Sequence, residues 1–371
     1  MKGPFPLFLV CPPGLETHLA AEAAAIGLEG AAPAPGGVTA RGDWPDIWRA
    51  NLMLRGAVRI NVEIGAFRAP HLAQLDKRAR RVPWAELLHP GTPISVEAQC
   101  KRSRIYHAGA AAERVERAIC EGAGAKAGGE DAFRFRVRIE DDLCTLSLDS
   151  SGEPLYRRGH KQAVGKAPLR ETLAALFLKA AGFTGAEAVV DPMCGSGTLV
   201  IEAADMASGA LPGRDRRFAF EGLRTNDASK LSTLRAAPAA APKGPARFFG
   251  SDRDAGAIRM STENAARAGL ETLCSFDCHA VSDLVPPAGV EPGLVITNPP
   301  YGARIGDTKS MSPLYAAFGR VLKEHFTGWR AAIITSEASL ARATGLPFES
   351  PGPPVPHGPL RIRLWQTPPL S

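Results

Sequence analysis

The sequence predicts an α/β protein: a mostly parallel sheet flanked by helices, preceded by an α+β half. Two patterns support this reading. From about residue 155 onward, short apolar or β-branched runs alternate with helical segments, as is typical of a parallel sheet with helices on both sides. Before that point, strand-like and helix-like segments are mixed without such regularity, which favours an α+β half.

In the first half, strands are predicted at residues 5–10, 58–64, 94–99, 133–139 and 143–148, and helices at 16–26 and 109–121. A further helix rich in basic residues is expected after residue 65. Strict alternation in the 133–139 strand places Arg134, Arg136 and Arg138 on one face. The glycine-rich stretch 122–129 is predicted to be a flexible tip.

The second half is predicted to contain strands at residues 188–190, 247–250, 275–278, 294–297 and 331–335. The last segment, 360–365, alternates apolar and polar side chains, as strands do.

Composition favours a globular protein with a polyanionic partner. The chain has 371 residues, 45% of them hydrophobic, and a formal net charge of +6. Between Lys77 and Arg170 the sequence contains eighteen Lys and Arg but only twelve Asp and Glu. The whole excess of positive charge in the chain therefore lies in this stretch. Concentrated basic charge is typical of a surface that binds a phosphate backbone. Seven cysteines in no regular frame suit a reducing cytoplasm.

Asn298-Pro299-Pro300-Tyr301 follows an apolar run that reads as a buried strand. The two prolines end the strand abruptly and fix the loop after it. Open α/β folds bind their ligands at the carboxyl ends of the strands, so the Asn298 carboxamide is expected at such an edge. Its oxygen and the Pro299 carbonyl are two acceptors suited to the two N–H groups of an exocyclic amine, and Tyr301 can stack on a base.

A second motif, Asp191-Pro192-Met193-Cys194-Gly195-Ser196-Gly197-Thr198, joins a short strand to a helix. Its two glycines allow close approach of a ligand and positive φ angles, and Ser196 or Thr198 could cap the helix. No Lys follows Gly197, and Val200 stands where a dinucleotide motif needs its third glycine, so neither a phosphate loop nor that motif fits.

Together the two motifs resemble those of S-adenosylmethionine-dependent amino-methyltransferases. Segments 155–160, 167–174, 211–213 and 218–221 narrow the resemblance to bacterial 23S rRNA guanine-N2-methyltransferases. Segments 48–55, 58–60, 95–98 and 103–107 are similar to the THUMP module, the RNA-binding part of that family. The resemblance therefore covers nearly the whole chain.

This resemblance implies a Rossmann-like class I methyltransferase domain at residues 155–371 with an antiparallel last strand. A ferredoxin-like part at 1–60 and a THUMP RNA-binding domain at 61–154 would precede it. The implied activity is methyl transfer from S-adenosylmethionine to the 2-amino group of a guanine in RNA, most specifically 23S rRNA. The implied catalytic residues are Asn298, Pro299 and Tyr301. The implied cofactor-binding residues are Asp191, Met193, Gly195, Gly197, Thr198, Asp252, His279 and Asn298.

Several assignments leave alternatives open. Asp252, at the end of the second strand, is expected to accept hydrogen bonds from the cofactor ribose, with Asp254 as its rival and as a possible helix cap. His279 occupies the position where the family has an acid for the adenine amine, so Asp277 or a backbone group could substitute. Cys194 is expected to pack rather than to act as a nucleophile.

Lys101, Arg102 and Arg104 are the first candidates for RNA phosphate contacts, and Arg134, Arg136 and Arg138 are the second. No metal site is expected, because Cys274, Cys278 and His279 lack a further ligand cluster. The rival functions are a tRNA guanine-N2-methyltransferase, a DNA adenine-N6 or glutamine-side-chain methyltransferase, and a non-catalytic RNA-binding protein.

Overall fold

The computed structural model describes residue 1 and residues 3–162, 169–236, 247–300 and 308–371. Tyr301 and the first two residues of segment 167–174 therefore lie outside the described residues. The chain forms two compact units. The first comprises Met1–Cys11, Leu19–Leu155 and Gly213–Ala237, and the second comprises Pro12–His18, Tyr156–Pro212 and Pro238–Ser371.

The described strands are β1 (Phe5–Val10), β2 (Glu29–Ala34), β3 (Gly37–Gly42), β4 (Arg59–Arg68), β5 (Pro93–Lys101), β6 (Lys126–Ala127), β7 (Phe133–Glu140), β8 (Leu143–Asp149), β9 (Val189–Asp191), β10 (Phe248–Asp252), β11 (Cys274–Cys278), β12 (Leu294–Thr297), β13 (Arg330–Thr335), β14 (Val355–His357) and β15 (Leu360–Gln366). The described α-helices are α1 (Glu16–Ala25), α2 (Trp44–Met53), α3 (Leu72–Ala79), α4 (Trp84–Leu87), α5 (Ala108–Ala123), α6 (Glu171–Ala180), α7 (Thr198–Ala207), α8 (Ala228–Arg235), α9 (Ala255–Arg267), α10 (Thr308–His325) and α11 (Ala338–Ala343).

The first unit contains an eight-stranded sheet in the order β2-β3-β1-β4-β8-β7-β5-β6. Strand β7 pairs parallel to β5 and antiparallel to β8. Along β7, Phe135, Val137 and Ile139 are buried and the three arginines that alternate with them are exposed, which confirms the predicted alternation. The expected flexible tip at 122–129 is wrong, because Lys126–Ala127 extends the sheet as β6, parallel to β5.

Helix α2 was not predicted, although its start signal is present in the sequence. Asp43 and Asp46 form a reciprocal capping box: each carboxylate accepts a hydrogen bond from the other residue's backbone N–H. Pro45 occupies the first turn, where it breaks no intrahelical hydrogen bond. The helix buries the Ile47 and Trp48 side chains within the first unit.

The insertion after α7, Gly213–Ala237, belongs to the first unit, whereas the chain segment before it belongs to the second. The backbone N–H groups of Gly213, Phe220 and Arg224 donate to the carbonyls of Leu52, Ser150 and Leu87, respectively. Long-range pairing of this kind has no local sequence signal. The division at residues 60/61 and 154/155 stays a prediction.

The second unit contains a seven-stranded sheet in the order β11-β10-β9-β12-β13-β15-β14. The pairings from β11 to β13 are parallel, and β15 is antiparallel to both β13 and β14. The predicted parallel sheet with an antiparallel last strand is therefore confirmed. An apolar core of this unit contains Val295 of β12, Ile333 of β13 and Phe318 of α10, together with Trp329, which precedes β13. In a fold of this kind the strand order brings the ends of β9, β10, β11 and β12 to one edge.

Candidate active site

The turn after β9 is the centre of this edge. The Cys194 N–H donates to the Ser251 carbonyl (3.0 Å), and the Gly197 N–H donates to the Cys194 carbonyl (2.8 Å). Gly195 and Gly197 adopt φ angles of 55° and 79°, so both need the freedom of glycine. Gly197, rather than Ser196 or Thr198, is the N-cap of α7, and no side-chain cap hydrogen bond forms there. The expectation of a hydroxyl cap is wrong.

The two glycines have different reasons to lack a side chain. A Cβ at Gly197 would lie 2.8 Å from the Ser261 Cβ, so its absence lets α9 pack against the turn. A Cβ at Gly195 would meet no atom within 4 Å. The Gly195 backbone therefore borders open space and can be approached closely by a ligand.

Asp252 ties the end of β10 to this turn. One carboxylate oxygen accepts the Gly195 N–H (3.1 Å) and the other accepts the Asp254 N–H (3.0 Å). Asp252 is partly exposed, so its remaining lone pairs can accept hydroxyl donors. Asp254 caps α9 instead, because its Oδ1 accepts the Gly256 N–H (2.7 Å). This geometry favours Asp252 over its sequence rival as the ligand-facing acid.

Asp191 is a buried carboxyl at the end of β9. Its Oδ1 accepts the Met193 N–H (3.2 Å). Burial raises the pKa of Asp191 to about 7, and the nearby Asp252 charge adds to the rise. The Thr297 hydroxyl beside it partly offsets this rise in pKa, although its geometry falls short of a hydrogen bond. The Met193 side chain packs against the apolar core, so its backbone is the part that faces Asp191.

The buried proton of Asp191 predicts a pH-dependent stability. In the folded chain the carboxyl keeps its proton up to about pH 7, whereas its ordinary pKa is 3.8. The folded state then binds more protons between these values, so the stability that this group contributes is lost as pH rises toward 7. Asp191→Asn cannot ionise, and we expect the variant to gain stability relative to the parent between pH 5 and pH 8. Urea denaturation at both pH values measures this, and parallel pH profiles of the two proteins would contradict it.

Asn298 lies directly after β12, as predicted. The residue is half-buried, but its Oδ1 is fully buried and has no hydrogen-bond partner among the described residues. Pro299 is buried next to it, and the Pro300 carbonyl accepts the Tyr315 hydroxyl (3.3 Å). A buried amide oxygen without a donor lacks the hydrogen bonds that it would form with water. The N–H group of a bound ligand would supply such a hydrogen bond.

His279 follows β11, whose last residue, Cys278, is opposite Asp252 in register. The imidazole is partly buried and its Nδ1 lies 3.0 Å from the Ala280 carbonyl. Asp277 is exposed and opposite Ser251. His279 is therefore one strand away from Asp252 at the same sheet edge, and its contact with adenine stays a prediction.

Two expectations about cysteine chemistry can be compared with the structure. Burial raises the pKa of the Cys194 thiol well above its ordinary value, and the sulfur packs against Gly250, so this thiol is protonated and inert. Within the described parts of the chain, no group of three or more His, Cys, Asp or Glu side chains could hold a metal ion.

Thr198 lines a small cavity beside the start of α7, together with Ser196 and Ile201. The cavity is completed by His160, Lys161, Glu171 and Glu202. Two buried ion pairs surround it: Arg158 with Glu202 (3.2 Å) and Lys161 with Glu171 (3.9 Å). Burial lowers the pKa of Lys161 and raises that of Glu171. No sequence pattern marks this cluster, because its members lie on separate segments with no common spacing.

The first candidates for RNA contacts are ion-paired. Arg102 contacts Glu140 (2.7 Å) and Asp141 (3.0 Å), Lys101 lies 3.6 Å from Glu140, and Arg104 lies 3.7 Å from Asp142. The second candidates for RNA contacts differ in their ion pairing. Arg138 pairs with Glu140, whereas Arg134 and Arg136 form no ion pair with any residue in the described ranges. All six of these arginine and lysine side chains are exposed at the surface of the first unit, including those that form ion pairs.

Comparison with known proteins identifies the family. Residues 158–348 match the model of the RMKL-like methyltransferase domain. The chain belongs to this RMKL-like methyltransferase family. Residues 6–61 match the RlmL ferredoxin-like domain, which confirms the ferredoxin-like start predicted from the sequence. The two domain models together cover residues 6–61 and 158–348 of the RMKL-like chain.

A curated relative, the ribosomal RNA large subunit methyltransferase K/L of Syntrophotalea carbinolica, is 37% identical over 364 residues. The match covers 93% of this chain and 51% of the relative, so the RMKL-like chain spans about half the length of the curated relatives it matches.

Two solved structures share the whole fold. A predicted N6-adenine-specific DNA methylase from Listeria monocytogenes is 29% identical with a TM-score of 0.87, covering 99% of this chain and 97% of its own. SMU.472 in complex with SAH is 25% identical with a TM-score of 0.88, covering 100% of both chains. In the described parts of the RMKL-like chain, no helix is both long and apolar enough to cross a bilayer.

Proposed function

We propose that the chain transfers a methyl group from S-adenosylmethionine to the exocyclic 2-amino group of a guanine in RNA, and that the RNA is 23S rRNA. The observation that carries the proposal is the buried Asn298 oxygen without a hydrogen-bond partner among the described residues. It lies at the end of β12, one strand from the glycine turn after β9. An acceptor in this position suits an amine donor brought next to an adenosyl ligand.

The residues at the sheet edge fit S-adenosylmethionine. The open space beside Gly195 accommodates close approach to the backbone, and the Asp252 carboxylate has lone pairs for ribose hydroxyls. Asp191 is a carboxyl that can ionise at neutral pH toward the cationic methionine end. Met193, His279 and Asn298 border the same edge, whereas the Thr198 side chain lines the neighbouring cavity. The cofactor supplies a methyl group already activated by its sulfonium charge.

The protein's part in the reaction is to position the amine and to shift its electrons. The Asn298 Oδ1 and the Pro299 carbonyl would each accept one N–H of the 2-amino group. This pulls the nitrogen toward a tetrahedral geometry and localises the lone pair, which in guanine is delocalised into the ring. Tyr301, by its place in the motif, would stack on the base once the base has left its helix.

Two lines support RNA as the substrate. The curated relative is named for large-subunit ribosomal RNA, and the excess of positive charge lies between Lys77 and Arg170. We propose that residues 61–154 form a THUMP domain that binds this RNA, between the ferredoxin-like part at 1–60 and the methyltransferase domain at 155–371. All seven cysteines are free, which suits action on ribosomal RNA in the cytoplasm.

The experiment is a transfer assay with methyl-labelled cofactor and three acceptors: 23S rRNA, a tRNA pool and duplex DNA. We expect label in 23S rRNA, because both the charge distribution and the relative's name favour it. Preferential labelling of tRNA would show that the substrate is tRNA rather than 23S rRNA, while the proposed methyl transfer would stand. Labelling of DNA alone would favour the adenine-N6 activity for which the Listeria neighbour is named.

A further inference from the structure

We propose that Tyr106, which shares a loop with Arg102 and Arg104, forms a stacking platform for an unpaired nucleotide of the RNA substrate, and that the acidic turn Glu140–Asp142 holds this loop in place. We call this surface the Tyr106 platform. The inference rests on the proposed function, since it assumes that RNA is the ligand of the first unit.

The Tyr106 ring is exposed to a degree that packing does not explain. Its exposed fraction is 74%, the highest among the large apolar side chains of the described residues. Ile105 beside it is buried and anchors the loop, so the chain turns one side chain inward and presents the next outward. The Tyr106 and His107 ring centroids are 4.2 Å apart, which broadens the aromatic surface. Leu143, 43% exposed, follows the acidic turn that contacts this loop.

Three hydrogen bonds fix the loop that carries Tyr106. The Ser103 hydroxyl donates to the Lys101 carbonyl (2.8 Å) and accepts the Asp142 N–H (3.1 Å). The Arg104 N–H donates to the Asp142 Oδ1 (2.8 Å). A ring presented on such a loop loses little conformational freedom when a base stacks on it, which favours binding.

The charges on the loop that carries Tyr106, and around the acidic turn that contacts this loop, suit a phosphate backbone. Three acids of the turn face five cations: Arg68, Lys101, Arg102, Arg104 and Arg138. The local sum is positive even with every pair formed. Arg102 is 59% exposed and uses its Nε and one terminal nitrogen on Glu140 and Asp141, so its other terminal nitrogen has no hydrogen bond to a described residue. Exposed ion pairs are weak, so phosphate oxygens can replace the carboxylates.

The ligand is inferred to be unpaired because an exposed ring can stack only on an accessible base face. In a duplex both faces of each internal base are covered by its neighbours, and sequence-tolerant RNA recognition by stacking uses single strands, loops or ends. The platform would therefore select RNA with an unpaired segment near the target guanine.

The test uses the full chain, a labelled unstructured RNA of about 12 nucleotides and a blunt RNA duplex of the same length. Fluorescence anisotropy gives the affinity for each. Tyr106→Ala is expected to weaken single-strand binding roughly 5- to 150-fold and to leave duplex binding nearly unchanged. Tyr106→Phe keeps the ring and should bind like the parent. Val285→Ala is the matched control, because Val285 is an exposed apolar residue of the second unit (64%).

A second variant is expected to bind more tightly. Asp141 adopts φ 51°, a conformation that asparagine tolerates, so Asp141→Asn keeps the turn while removing a charge that repels phosphate and holds Arg102. We expect RNA affinity to rise roughly two- to fivefold. A gain cannot arise from misfolding, so this variant remains informative if Tyr106→Ala is unstable.

The inference would be overturned if the parent, Tyr106→Ala and Tyr106→Phe bound the single strand with equal affinity. The exposed ring would then be assigned to contact with a protein partner. Equal losses on single strand and duplex would also overturn the inference. Methyl transfer by the parent to 23S rRNA, measured alongside, separates the two proposals. If transfer persists while Tyr106 proves neutral, only the platform is wrong; if no RNA accepts a methyl group, the proposed function fails first.

Discussion

Asn298→Ala is expected to lower methyl transfer by roughly 100-fold or more while leaving cofactor affinity nearly intact. The carboxamide oxygen is buried without a partner in the described structure, so its hydrogen bond is available to the substrate amine. That bond strengthens as the nitrogen becomes tetrahedral, and its loss should therefore appear in kcat more than in substrate affinity. Single-turnover transfer to RNA and calorimetry with the cofactor measure the two quantities.

Asn61→Ala is the matched control for this variant. Asn61 is also an asparagine whose Oδ1 is buried and has no hydrogen-bond partner among the described residues, but it lies on β4 in the first unit. The control should retain the parent rate, which separates the loss of a buried amide from the loss of the amine acceptor. Parent-like turnover by Asn298→Ala would show that the amine is activated by some other group.

The second large effect is expected at Asp252. Asp252→Ala should weaken cofactor binding by about 1.5–3 kcal/mol, or roughly 10- to 150-fold, because it removes a charge-assisted acceptor for the ribose. The substitution also removes the acceptor of the hydrogen bonds that the Gly195 and Asp254 N–H groups donate to the carboxylate. Asp252→Asn retains one acceptor oxygen and should fall between the parent and alanine. Calorimetry with S-adenosylmethionine gives the three affinities.

Asp254→Ala provides the comparison that identifies the acid. Asp254 is two residues away and caps α9, so its loss should lower the free energy of unfolding by about 1 kcal/mol and leave cofactor affinity unchanged. If Asp254→Ala weakened cofactor binding as much as Asp252→Ala, the assignment of the ribose contact to Asp252 would be wrong.

The centre of the parallel sheet could be predicted because β9, β12 and β13 are buried apolar runs. The predicted ranges for β9 to β13 and β15 agree with the structure to within two residues. Strands β2 and β14 were missed because both are edge strands that contain proline, at Pro33 and Pro356, and have few buried side chains. Neither apolar periodicity nor β-propensity marks such a strand, and pairing with a neighbour alone defines it.

The site was predictable where a motif places a residue at a strand end. Asp191, Gly195, Asp252 and Asn298 lie on the edge that the strand order predicts. The place of the Thr198 side chain, which lines the neighbouring cavity, could not be predicted from the motif, and its contact with the cofactor stays a prediction. The ion pairs of Arg102 and Arg104 could not be foreseen either, because the acids that hold them come from a turn about forty residues later. Long-range pairing decides which surface charges are available.

The measurement that tests the central claim most directly is the identity of the methylated nucleoside. Ribosomal RNA incubated with the chain and isotope-labelled S-adenosylmethionine would be digested to nucleosides and separated by mass spectrometry against standards. Label in N2-methylguanosine, strongly reduced with Asn298→Ala and undiminished with Asn61→Ala, is the result that the account predicts. Label in N6-methyladenosine or in a carbon-methylated base would contradict it.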